Sequence, residues 1–331
     1  MIGTALHRDR DLLEIADSWL KNSKQFASAT VISTWGSAPR ETGSFMLIDA
    51  EGQFFGSVSG GCVENAVIEA ALNSMNSGKA CLVEFGVTDD EVLSIGLACG
   101  GQIQILIEPS TQLEEHWLEN AGHAVVNRQV CTLLRELDAS NDDHPIVRSA
   151  WLQPEDPDFG AVTGLDAARP LFFQTFRPAR RAIIIGGVHI AQALVSGLRS
   201  LELEVLIVDP RDVWANDVRF PNCKILNHWP DDALNEIGVD SETAIIALTH
   251  DPKFDDPALL TALKSSAFYI GALGGSKSAK SRRKRLIDSG LTDMEIDRLH
   301  TPIGLSIGAK GPSEIAVSIL AEIISAYRGA Q

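Results

Sequence analysis

The stretch Ala182-Ile-Ile-Ile-Gly-Gly-Val-His-Ile-Ala-Gln-Ala-Leu194 decides how the second half of the chain folds. Ala182–Ile185 is a short unbroken apolar run, as expected of a strand buried on both faces. Gly186 and Gly187 follow at once, and the apolar residues beyond His189 fall at helical spacing. Strand, glycine turn and helix in that order open a Rossmann-like domain. There the glycines let the backbone bend sharply and let a pyrophosphate reach the helix N-terminus. Asp209 ends the next strand pattern 23 residues past Gly186, near the offset of a carboxylate that binds a ribose hydroxyl. The glycines depart from G-x-G-x-x-G, with Val188 at the second position and Ala191 at the third. Alanine is tolerated there. Val188 sets a branched Cβ where a pyrophosphate touches the backbone, so the pattern supports the fold without requiring ordinary NAD. His189 is a candidate phosphate donor or a solvated cap, and a turn that binds nothing is the bland alternative.

Outward from this turn, strands are expected at 182–185, 204–208, 224–226, 243–248 and 267–270, with helices near 189–200, 231–236, 256–265 and 276–289. Short apolar strands alternating with helices imply a parallel sheet covered on both faces. A last helix is expected from Pro312 to Tyr327, with Gly311 as a modest N-cap. Arg177-Pro178 marks the expected boundary, giving domains at 1–178 and 179–331.

The first half reads as a compact α+β domain. A helix is expected over 9–22, strands over 27–34, 44–49 and 53–58, and a hairpin turn at Ala50-Glu51-Gly52. A helix over 63–75 and strands over 80–85 and 102–108 follow. Beyond these, a helix near 113–120, strands near 124–137 and 171–176, and a polar loop over 138–164 are expected.

The chain has 331 residues and a net charge of −16, a balance that argues against a nucleic-acid or anionic-membrane partner. No apolar run is long enough for a transmembrane helix, and the N-terminus lacks the pattern of a signal peptide, so a cytoplasmic location is expected. The five cysteines, at 62, 81, 99, 131 and 223, are widely spaced with no C-x-x-C pair. They are expected to be free thiols rather than disulfides or a closed zinc site.

Two of them carry the chemistry of the first half. Ser59-Gly60-Gly61-Cys62 sets a thiol at the start of a helix, where the dipole favours a thiolate nucleophile or soft-metal ligand. Cys99-Gly100-Gly101 repeats the pairing. A small packing residue beside a tight turn is the plainer reading of each, and it is the one expected of Cys81, Cys131 and Cys223. Separately, Lys277, Lys280, Arg282, Arg283, Lys284 and Arg285 place six cations after the Gly274-Gly275 turn, at the edge where such sheets bind ligands. A solvated basic helix face is the alternative.

Together these segments resemble the XdhC/CoxI family, accessory proteins of molybdenum hydroxylases such as xanthine and carbon monoxide dehydrogenases. The resemblance covers nearly the whole chain: GSAPRETGSFML (36–47), GSVSGGCVE (56–64), LACGG (97–101), IIIGGVHIAQAL (183–194), THDPKFDD (249–256), YIGALGGSKSAKSRRKRL (269–286) and PIGLSIGAKGPSEIAVSILAEI (302–323). It implies a family-specific N-terminal α+β domain before the Rossmann domain. It also implies a role as a maturation chaperone rather than a catalyst: binding and protecting molybdenum cofactor, cooperating with a cysteine desulfurase in its sulfuration, and delivering it to an apo-hydroxylase. The expected cofactor site comprises Arg40, Ser59, Gly60, Gly61, Cys62, Cys99, Gly100, Gly186, Gly187, His189, Asp209, His250, Asp251 and Gly274, with Cys62 and Cys99 the candidates for contact with molybdenum or sulfur. Where the family reads G-A-G-H, I-G-L-D-I-G and a Thr-Pro helix start, this chain has Gly187-Val188, Ser306 and Gly311. An NAD(P)-dependent oxidoreductase, with His250-Asp251 for acid–base chemistry, and an adaptor with an empty site are the alternatives. The pterin form, the hydroxylase served and a homodimer are left open.

Overall fold

A computed structural model describes residues 9–36, 40–86, 101–113, 117–138 and 145–329. The chain divides into two compact units, Met1–Pro178 and Ala179–Gln331.

The first unit holds helix α1 (Asp9–Lys21), strands β1 (Phe26–Trp35), β2 (Phe45–Asp49) and β3 (Phe54–Gly56), and helix α2 (Glu64–Ser77). Then follow β4 (Cys81–Phe85), β5 (Gln102–Pro109), α3 (Trp117–Val126), β6 (Cys131–Leu137), β7 (Ile146–Trp151), β8 (Gly164–Leu165) and β9 (Leu171–Phe176). The strands form two sheets, ordered β3-β2-β1-β5-β4 and β7-β6-β9-β8, with antiparallel pairing. The β2–β3 hairpin is closed by Asp49, whose Oδ1 accepts from the amides of Glu51 and Gln53 at 3.0 and 2.7 Å.

Alternation along β1 divides its two faces. Ala27, Ala29 and Val31 pack against Val67 and Ala71 of α2, so Ser28 and Thr30 belong to the opposite face. A buried ion pair joins the two sheets. The Arg135 guanidinium on β6 lies 2.8 Å from Glu108 Oε2 on β5, both side chains being 1% exposed. It also donates to Glu108 Oε1 at 3.1 Å and to Gln174 Oε1 on β9 at 2.8 Å.

Three expectations in this unit are corrected. The helix expected near 113–120 is α3 at Trp117–Val126, and the strand expected from 124 begins at Cys131. Val125-Val126 reads as strand by β-branching, but Trp117, Ala121 and Val125 share a helical face buried against the core that includes Leu133 and Phe176. The polar stretch 138–164 contains β7, an edge strand with Val147 exposed, whose partly solvated residues mask the pattern.

The second unit holds β10 (Arg181–Ile185), α4 (His189–Ser200), β11 (Glu204–Val208), β12 (Lys224–Leu226), α5 (Pro230–Ile237), β13 (Thr243–Ala247), α6 (Pro252–Leu263), β14 (Tyr269–Ala272), α7 (Ser276–Asp288), α8 (Asp293–Ile296), β15 (Leu299–His300) and α9 (Pro312–Arg328). Its sheet is parallel and ordered β12-β11-β10-β13-β14-β15. This is the doubly wound Rossmann order, and the expected fold class holds. Ala182 and Ile184 pack with α4 and α9 on one face; Ile183 and Ile185 pack with α5, α6 and α7 on the other. Strand order reverses between β10 and β13, so the ligand crevice of such a sheet lies beyond the ends of those strands.

Helix α6 begins four residues before its expected start, because Asp251 caps it by accepting from the Lys253 amide and Pro252 fits the first turn. The strand expected at 267–270 lies at 269–272, and α8 and β15 were not expected. Among the described residues no helix is long and apolar enough to cross a membrane.

The buried pair makes a prediction. Arg135→Ala, which strands the Glu108 carboxylate, lowers the unfolding free energy by about 3–5 kcal/mol in urea titrations. Arg135→Leu combined with Glu108→Leu restores most of it; a loss below about 1 kcal/mol in the single variant would refute a sheet-joining role.

Candidate functional site

The Gly186-Gly187 turn connects β10 to α4, and both glycines are demanded by close contact. Gly186 has φ +104°, and a Cβ there would lie 2.6 Å from Thr249 Cγ2 at the end of β13. A Cβ on Gly187 would lie 2.2 Å from the Trp214 carbonyl oxygen, so the backbone following β11 packs directly on the turn. Arg219 secures that packing, donating to the carbonyls of Trp214 and Gly187 at 3.0 and 2.8 Å.

Asp209 is buried beneath this contact. Its Oδ2 accepts from the Gly187 amide at 3.0 Å and from Arg211 Nη2 at 2.8 Å. Its Oδ1 accepts from the Arg211 amide at 3.0 Å and Arg211 Nε at 2.8 Å. Four donors fill the acceptor positions of a carboxylate. Burial pushes this carboxyl up, but the bonds from Arg211 and Gly187 outweigh it and hold Asp209 below the usual range. The residue expected to meet a ribose is thus turned inward, onto its own turn. His189 is exposed in the first turn of α4, behind an extended Val188 that offers no side-chain cap.

Beyond β13, His250 is exposed with φ +62°, a backbone conformation uncommon for a side-chain-bearing residue. Thr249 Oγ1 donates to the buried carboxylate of Asp255 at 2.6 Å and accepts from the Asp251 amide at 3.1 Å. Burial pushes the Asp255 carboxyl up, against the opposing pull of Thr249 and Arg282. Gly274, with φ +144°, turns the chain from β14 toward α7 close to Ser278 and Arg282.

The six-cation run divides in two. Arg282 is buried, 3.3 Å from Asp255 Oδ2, and donates to the Leu273 carbonyl at 3.0 Å. Arg283 pairs with Asp293 and Asp297, and Arg285 with Asp256. Only the lysines, Lys277, Lys280 and Lys284, stay exposed without a charged partner among the described residues. The arginines hold the fold, so the expected anion-binding face is narrowed to three lysines.

In the first unit, Ser57–Cys62 wraps around the Glu64 carboxylate at the start of α2. Oε1 accepts from Ser57 Oγ at 2.8 Å and the Ser59 amide at 3.0 Å. Oε2 accepts from Ser59 Oγ and from the Gly61 amide at 2.9 Å. Ser59 Oγ in turn accepts from the amides of Cys62 and Val63, each at 3.0 Å. Gly60 and Gly61 supply the left-handed backbone, with φ +76° and +115°. Burial pushes the Glu64 carboxyl up, but the hydrogen bonds from Ser59 and Ser57 together outweigh it and hold it at about 2. The result is a fixed bend that leaves Cys62 exposed as a free thiol.

Arg40 is half-buried, and Cys99 and Gly100 lie outside the described residues. Burial pushes the Cys131 thiol up to about 12. Burial likewise raises Cys223, against the charge of Arg199, which donates to its Sγ at 3.2 Å. Both are held as structural residues, as is half-buried Cys81. Among the described residues no cluster of three or more His, Cys, Asp or Glu side chains is arranged to hold a metal ion. Residue-by-residue reading singled out neither Glu64 nor Arg211; the signals for them were the acid two residues past Cys62 and the cation two residues past Asp209.

The packing at Gly187 predicts that Gly187→Ala lowers stability by about 1–3 kcal/mol. Gly122→Ala, in α3 with nothing within 4 Å of its Cβ position, raises it by about 0.5–1 kcal/mol. Urea unfolding followed by circular dichroism measures both; equal effects would show that the turn is not closely covered.

Comparison with known proteins agrees with this architecture. The XdhC Rossmann domain profile matches residues 182–323, and the XdhC and CoxI family profile matches residues 19–86. A probable xanthine dehydrogenase subunit of Bacillus subtilis is 26% identical, the alignment covering 93% of this chain and 95% of that protein. The molybdenum cofactor insertion chaperone PaoD of Escherichia coli is 28% identical, with 96% and 88% covered. A crystal structure of a xanthine dehydrogenase from Bacillus halodurans shares the fold with a TM-score of 0.74 at 24% identity, covering 96% of each chain. With its Rossmann half and its N-terminal segment both matched, the chain belongs to the XdhC/CoxI family.

Proposed function

We propose that this protein binds molybdenum cofactor as cargo, protects it, assists its sulfuration and delivers it to an apo molybdenum hydroxylase. The observation that carries this reading is the exposed Cys62 on a bend fixed by the Glu64 carboxylate, within the segment that the family profile matches. A soft thiolate suits contact with molybdenum or with the sulfur it receives. Holding that thiol on a rigid turn reduces the ordering cost of binding. The name of the PaoD relative, a molybdenum cofactor insertion chaperone, supports the same cargo.

Within this reading Cys62 is the candidate contact for the metal end of the cargo, together with Cys99. Ser59, Gly60, Gly61 and Gly100 belong to the same sequence segments, and Arg40 to the stretch 36–47. In the second unit, the first-turn amides of α4, His189, His250, Asp251 and the Gly274 turn are the candidates for the phosphate-bearing part. Gly186, Gly187 and Asp209 act there through the shape of the turn. A cysteine desulfurase and the apo-hydroxylase are the partners that the reading calls for.

An NAD(P)-dependent oxidoreductase is the second reading, and two observations weigh against its NAD form. The Asp209 carboxylate has no acceptor position left for a ribose hydroxyl, and the Trp214 backbone covers Gly187.

Protein purified from a molybdenum-replete host, assayed for metal and pterin, tests the proposal. The unaltered chain is expected to carry or accept cofactor, and Cys62→Ala to retain several-fold less. Retention unchanged from the unaltered chain in both Cys62→Ala and Cys99→Ala would remove the thiolate contact; no pterin in the unaltered chain would remove the cargo.

A further inference from the structure

Asp209-Pro210-Arg211 ends β11 in a side-chain-capped turn. Asp209 Oδ1 accepts from the backbone amide two residues on, and Pro210 has no amide to compete. This places Arg211 at the crevice edge of the sheet, where its side chain doubles back onto the same carboxylate through Nε and Nη2, both at 2.8 Å. The guanidinium is also clamped by rings, its centre 5.2 Å from Trp214 and 5.0 Å from Phe254. Arg219 lies 5.4 Å from the Trp214 ring and helps hold it. A bidentate carboxylate and two aromatic contacts leave the guanidinium little freedom.

A guanidinium has five N–H donors. Two of those on Arg211 go to Asp209. The other three, one on Nη2 and both on Nη1, have no hydrogen-bond partner among the described residues, and the side chain is 38% exposed. Asp209 Oδ2 accepts from both Arg211 Nη2 and the Gly187 amide, so the fork is anchored beside the β10–α4 turn. Besides Asp209, the charge acting on Arg211 is Asp251, without a hydrogen bond.

We infer that Arg211 is a specificity residue of this crevice, recognising a phosphate or similar oxyanion of the ligand where an uncovered acid would recognise a ribose diol. The chemistry follows from which group faces outward. A free carboxylate at the end of the second strand accepts from hydroxyls, whereas an arginine beside it takes a phosphate. Here the carboxylate is buried and saturated, and what it presents is a fixed planar cation with donors in reserve, suited to charge-assisted bonds with phosphate oxygens. The inference deepens the proposed function, because it rests on the second-unit crevice being a ligand site, but it does not depend on the ligand being a pterin.

Calorimetric titration of the full chain with inorganic pyrophosphate tests it. The unaltered protein is expected to bind. Arg211→Lys, which keeps a cation beside Asp209 but loses the planar fork, is expected to bind about tenfold more weakly, the scale of one lost charge-assisted hydrogen bond. Asp209→Asn combined with Arg211→Gln, which removes the buried charge together with its partner, is expected to lose measurable binding while still unfolding cooperatively. Lys224→Ala, exposed at the start of β12 and so at the opposite end of the sheet from the crevice, is the control and is expected to bind as the unaltered protein does. No binding by the unaltered protein, or binding in both Arg211 variants as tight as in the unaltered protein, overturns the inference. Absence of pterin from a protein whose pyrophosphate binding follows Arg211 would instead overturn the cargo and leave the inference standing.

Discussion

The Asp209 carboxylate ties together three parts of the crevice edge in the second unit. It ends β11, anchors the Gly187 amide of the β10–α4 turn, and holds Arg211 by main chain and side chain alike. Such a group is stable when buried because charge-assisted bonds replace its lost hydration. Once they are all made internally, the carboxylate is no longer available to a ligand. A feature that in sequence marks a ribose site has become a bracket, and the outward chemistry of this edge passes to the arginine it holds.

The first unit uses the same device with a different residue. Glu64 accepts four hydrogen bonds from Ser57, Ser59 and Gly61, and the bend it organises is again a Gly-Gly turn before a helix. In both units a saturated carboxylate fixes a glycine turn whose left-handed or crowded backbone would otherwise be costly to order. One bend presents a thiol and the other a cation. The thiol suits a soft metal or its sulfur, and the cation suits an oxyanion.

Much of this fold was legible because the signals were local. Unbroken apolar runs such as Ala182–Ile185 announced a parallel sheet, and the Pro312 start of α9 and the Ala50–Gly52 hairpin were placed by turn and cap chemistry. Legibility failed where burial overrode propensity. Val125-Val126 looked like strand until Trp117 and Ala121 showed the helical face, and the edge strand β7 was hidden by its exposed side chains. The site was less legible than the fold. Cys62 and the two turns stood out through their glycines, but the roles of Asp209 and Arg282 depend on partners such as Arg211 and Asp255, which no spacing rule identifies. The run of six cations illustrates the point: three are arginines tied to acids elsewhere in the unit, a fact visible only once those acids are brought to them.

The chemistry assigned to the crevice turns on Asp209 being closed to a dinucleotide ribose. Isothermal titration of the full chain with NAD measures this most directly. No saturable heat is expected up to about millimolar NAD, an affinity no better than a few kcal/mol. Low-micromolar binding that is lost in Asp209→Asn would contradict it.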